Sequence, residues 1–128
     1  MGFFNPKNFL MYGGWVLVIL GILGFFLIGP GTDRLFGSTW YFDDAENWAH
    51  LVLGVVALLL VYLVKNNVLN KWVTILVGLF ALVATVSGFF VGTNFLGANL
   101  ENPLDNILHL VVGAWALVSG FSKPGMQT

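Results

Sequence analysis

The sequence predicts an all-α integral membrane protein: four transmembrane helices, a tandem repeat of two helical hairpins, with both termini in the cytoplasm. Three observations predict it. Of 128 residues, 58% are hydrophobic and only 9% are Asp, Glu, Lys or Arg, whereas soluble domains carry about a quarter charged residues. The apolar residues fall into four runs long enough to matter for a bilayer. The segment ENWAHLVLGVVAL at 46–58 recurs as DNILHLVVGAWAL at 105–117, and the chain's two histidines occupy the same slot in the two copies.

The runs are Phe9–Ile28, Trp48–Val64, Trp72–Val91 and Ile107–Phe121. The first and third hold about 20 residues, which at a rise of about 1.5 Å each cross a hydrocarbon core of about 30 Å. The second and fourth reach that length once a polar first turn is added. Asp43 and Asn102 are suited to be N-caps, with Glu46 and Asp105 three residues on. Asp43-x-x-Glu46 has the form of a capping box, and Asn102-x-x-Asp105 is a looser version with Pro103 at the first helical position. The acids are thereby read as neutralising helix N-termini. Apolar and polar residues do not alternate, which argues against a β-barrel. The first run has no small-x-small cleavage site near its end, and the repeat requires it, so it is expected to stay. MGFFNP has Pro6 where a myristoylation signal needs Ser or Thr.

Charge sorts by loop. Lys7, Lys65, Lys71 and Lys123 flank one side; Arg34 and all six acids, Asp33, Asp43, Asp44, Glu46, Glu101 and Asp105, fall on the other. The positive-inside rule then places both termini in the cytoplasm. Trp15, Trp72 and Tyr62 are expected near the inner boundary, and Trp40, Tyr41 and Trp48 near the outer one.

The duplication extends beyond the histidines. GFFLIG at 24–29 matches GFFVG at 88–92, and RLFG at 34–37 matches NFLG at 94–97. Residues 9–65 and 72–122 are therefore expected to superpose as hairpins in one orientation, the arrangement of parallel repeats about an axis along the membrane normal. Asn47, His50 and Gly54 are spaced i, i+3, i+7, as are Asn106, His109 and Gly113, so each set lies on one side of its helix. Each histidine is about 10 Å along its helix from the cap, near the outer boundary. Polar groups facing lipid are costly, so both stripes are expected to face inward, each histidine within hydrogen-bonding reach of a polar partner. In the third helix Ala81, Ala84, Thr85, Gly88 and Gly92 form a small-residue ridge for close packing.

At these residues the chain resembles a family of small bacterial four-span membrane proteins, domain of unknown function 4383. The resemblance rests on the doubled Asn-x-x-His-x-x-x-Gly motif (Asn47, His50, Gly54; Asn106, His109, Gly113) and on four spans over nearly the whole chain. It implies a multi-pass protein of the bacterial cytoplasmic membrane and carries over no catalytic residue.

Function is read by exclusion. There is no cysteine, so disulfides, thiolate metal sites and a cysteine nucleophile are out. A net charge of −1 argues against a nucleic acid partner. No phosphate loop or serine–histidine–acid set is present, so no enzyme is expected. The central parts of the spans hold no Asp, Glu, Lys or Arg, which disfavours a transporter or channel. His50, His109, Glu46 and Asp105 are a conceivable zinc set, but capping explains the acids more simply. Two readings remain ahead of these. One is a structural component that packs in the bilayer with itself or with other membrane subunits and needs no cofactor. The other is a subunit holding a b-type haem or a chlorophyll-type pigment on His50 and His109.

Overall fold

The computed structural model describes residues 2–28, 42–99 and 104–124. Its helices are α1 (Pro6–Phe26), α2 (Asp44–Leu59), α3 (Asn67–Phe90) and α4 (Leu104–Gly120), and α2 runs on into a π-helical turn, Leu60–Val64. A short hairpin of β1 (Asn94–Phe95) and β2 (Ala98–Asn99) follows α3.

Each helix starts three to five residues before its apolar run, and in α1, α2 and α3 polar residues close the first turn. The Asn5 side chain accepts from the Asn8 N–H at 2.9 Å, with Pro6 at the helix start. Asn66 does the same for Leu69 at 2.9 Å. Asp43 and Glu46 form the expected capping box, Glu46 N–H to Asp43 Oδ1 at 2.9 Å and Asp43 N–H to Glu46 Oε2 at 3.0 Å. The Asn102 and Pro103 positions lie outside the described residues. The π turn ends with the Lys65 N–H on the Leu60 carbonyl at 2.9 Å, Lys65 itself being left-handed at φ 52°. Lys65 and Asn66 alone then link the π turn to α3.

With their polar starts, α1 and the α2–π unit each reach 21 residues and α3 reaches 24; all three are long and apolar enough to cross a membrane. α4 is apolar but has 17 residues, or about 25 Å. Leu76, Val83, Val86 and Val111 are 57–63% exposed, so the outer surface is made of large aliphatic side chains while the small residues are turned inward. That is the distribution a helix bundle in lipid adopts, since lipid solvates large aliphatics and close helix contact needs small residues.

α1 packs along α2, and α3 along α4. The two hairpins join through an apolar core in the lysine-side half, Phe9, Leu10, Ala57, Val61 and Ala116. There the Thr74 hydroxyl donates to the Pro6 carbonyl at 3.4 Å. The N-terminal residues hook across α4: the Trp115 indole N–H donates to the Phe3 carbonyl at 2.7 Å and the Ser119 hydroxyl to the same oxygen at 3.4 Å. At the other end, the Phe42 N–H donates to the Ile28 carbonyl at 2.8 Å and ties together the ends of the α1–α2 connection.

Three placements differ from expectation. α1 begins at Pro6, so Trp15 sits near its middle rather than at the inner boundary. Its indole N–H reaches the Tyr62 hydroxyl at 3.4 Å, because side chains on antiparallel helices lean toward their own N-termini and so toward each other. Gly92 belongs to no packing ridge, since α3 ends at Phe90 and Gly92 follows it with φ 154° and open space around it. Leu96 and Gly97, in the segment matched to 34–37, turn the β-hairpin with φ 53° and 91°. That is the type I′ pattern, and no strand pair was expected here.

Candidate functional site

The polar stripes lie at the ends of α2 and α4 remote from the lysines, but each stripe divides in two. Asn47 and Gly54 face α1. Successive helical residues are rotated by about 100°, so Gly54 falls within about 20° of Asn47 whereas His50 is turned about 60° to one side. Asn47 has no exposed surface. Its Nδ2 donates to the Phe42 carbonyl at 3.4 Å, and its Oδ1 lies where a Cβ on Gly24 would be, with Cγ at 2.5 Å from that position. The carboxamide thus occupies a notch that exists because residue 24 has no side chain, with Oδ1 directed at the Gly24 Cα–H. A Cα–H···O contact of this kind recurs where helices touch.

The second copy repeats the first. Asn106, also without exposed surface, places its carboxamide on Gly88 in the same way, with Cγ 2.5 Å from the missing Cβ. Gly54 abuts the Gly14 carbonyl and Val18, and Gly113 abuts the Gly78 carbonyl and Leu82. Gly14 receives Ala57 and Leu58; Gly78 receives Ala116 and Leu117. Each pair of equivalents is 64 residues apart on α1 and α3, and 59 apart on α2 and α4. One substitution breaks the match instructively. Gly21 lies against the Asn47 carbonyl, and its counterpart Thr85 instead donates its hydroxyl toward the Asn106 carbonyl at 3.4 Å and to Ala81 O at 2.9 Å.

The other half of each stripe faces across the bundle. Glu46 and Asp105 are buried, 4% and 2% exposed, and their carboxyl groups interact with each other. His50 has His109 and Asp105 as electrostatic neighbours. It also meets the Phe42 ring edge-on, centroids 5.5 Å apart. Equivalent residues of the two repeats therefore lie on facing sides: the two acids interact directly, and the two histidines are electrostatic neighbours. His109 interacts with the backbone of Asp105, four residues upstream as expected, while Nδ1 of both His50 and His109 is buried without a hydrogen-bond partner. The residues three and four positions upstream are already committed, Asn47 to α1 and Glu46 to its cap. Among the described residues, no three His, Cys, Asp or Glu side chains stand together as a metal site.

The sequence reading placed Gly88 in a packing ridge but missed Gly14, Gly24 and Gly78 on the same side of the contact. The signal was present: Gly14 and Gly24 recur as Gly78 and Gly88 at the same offset. No protein-family model matches the chain, and no curated protein or solved structure matches it either.

Proposed function

We propose that the chain is a structural membrane component, a four-span unit of the bacterial cytoplasmic membrane related to the domain of unknown function 4383 proteins, which packs with itself or with other subunits. The observation that supports this reading is the doubled glycine–asparagine contact: the most buried polar side chains of the motif are committed to holding one helix to the next. The four lysines on one side support both termini being cytoplasmic. Reporter fusions at Asn66 and at the C-terminus are expected to read cytoplasmic, and a periplasmic reading at either contradicts the topology.

A second reading, a haem- or pigment-binding subunit, is favoured by one observation, the two buried Nδ1 atoms without partners on neighbouring imidazoles. The two readings separate in a visible absorption spectrum of the protein purified from its native membrane. The structural reading predicts only the aromatic absorption of the polypeptide. A visible band that disappears in His50→Leu and His109→Leu overturns it in favour of the cofactor.

A further inference from the structure

The hairpin that follows α3 does not stand away from the bundle. Its strands pair antiparallel with Phe95 opposite Ala98, and Leu96 and Gly97 form the tip. β1 lies against α3 and β2 against α2. The Phe95 ring meets the Phe80 ring edge-on, centroids 5.4 Å apart. Phe80 is in the body of α3, about 15 Å along the helix before its end at Phe90. A helical side chain also leans toward its own N-terminus, so the Phe80 ring is at least that far from the helix end. The chain leaves α3 and then comes back alongside it. Both strands are joined to helix ends on the side remote from the lysines, the end of α3 and the start of α4. The tip is therefore the part of the hairpin that points back toward the middle of the bundle.

The tip carries the wrong residue for water. Leu96 is 81% exposed and has φ 53°, where Cβ crowds the following carbonyl oxygen. Asn, Asp or Gly ordinarily fills this place in a type I′ turn. An exposed leucine here gains neither conformation nor hydration in water, whereas hydrocarbon gives it a favourable contact. The tip is also equipped for an apolar medium. Irregular backbone at membrane depth needs its polar groups satisfied and protein beside it. The Gly97 N–H donates to Asn94 Oδ1 at 3.3 Å, and α3 and α2 back the two strands. We propose that the hairpin tip is inserted into the leaflet opposite the lysines, with Leu96 against acyl chains and the Phe95–Phe80 contact holding it there. The proposal rests on the chain spanning a membrane.

The chain has no cysteine, so single-cysteine variants carrying a nitroxide label test it directly. Val83→Cys, Val91→Cys, Leu96→Cys and Lys123→Cys all replace exposed residues. Each is reconstituted in phosphatidylcholine vesicles, and access of the label to oxygen, which dissolves in hydrocarbon, is compared with access to an aqueous nickel chelate. The Leu96 label is expected to favour oxygen at least as strongly as the Val91 label, and severalfold more than the Lys123 label, although it is farther along the chain from α3. Nickel access at Leu96 equal to that at Lys123 overturns the proposal, because the tip is then in water. Low access to both reagents at Leu96 also overturns it, because the tip is then covered by protein. The Val83 label separates these failures from a failure of the membrane reading. If Val83 favours oxygen and Leu96 does not, the insertion alone is wrong; if Val83 favours the nickel chelate, both are.

Discussion

Gly24→Ala and Gly88→Ala are each expected to destabilise the protein by about 2 kcal/mol, the ordinary cost of overpacking a close-fitted interior. The new methyl would overlap the carboxamide of Asn47 or Asn106, with Cγ at 2.5 Å in both cases. A flexible side-chain end could swing away, but these asparagines have no exposed surface to swing toward. The origin of the effect is testable by a double-mutant cycle. Gly24→Ala combined with Asn47→Ala should be markedly less destabilised than the sum of the two singles, because the second change removes the clashing group. Additive losses would show that the glycine acts through something other than the carboxamide.

Gly54→Ala is expected to cost more, about 3 kcal/mol, at the upper end of overpacking effects. Here the added methyl meets backbone: the Gly14 carbonyl oxygen at 2.7 Å and the Val18 nitrogen at 2.8 Å. Side-chain adjustment cannot relieve that contact, so α2 must move away from α1 and loosen the glycine and asparagine contacts above and below. Gly13 is the control, a helical glycine beside the interface with nothing within 4 Å of its missing Cβ. Gly13→Ala should be neutral or stabilising by up to about 1 kcal/mol, the helix propensity difference. Unfolding midpoints in one detergent for the two variants check both; similar effects at Gly13 and Gly54 would contradict a backbone-limited contact.

The helices were legible in the sequence because each is an unbroken apolar run bounded by recognisable caps. The starts of α1 and α3 were set a few residues late because Asn5 and Asn66 were not read as caps, although each precedes its helix as Asp43 precedes α2. The repeat was also legible, since it is carried by identical residues at fixed offsets. The division within each stripe was harder to see. Spacing of i, i+3, i+7 places three residues on one side of a helix, yet a turn of about 60° suffices to send Asn47 to one neighbour and His50 to another. Which of the two faces another polar group depends on where α1 and α4 lie, and that follows from packing across the bundle. The histidines stand out in the sequence because they are rare, but the asparagines make the tightest contacts.

That difference is measured most directly by comparing the unfolding free energies of two double variants in the same bilayer or detergent, Asn47→Ala/Asn106→Ala and His50→Leu/His109→Leu. If the motif holds helices together through its asparagines, the first pair should lose about 2–4 kcal/mol, mainly from the cavities left beside Gly24 and Gly88, with a smaller part from the Asn47 Nδ2 bond to the Phe42 carbonyl. The second pair should change by no more than about 1 kcal/mol, since neither Nδ1 gives up a hydrogen bond. A histidine pair that costs more than the asparagine pair would contradict the account.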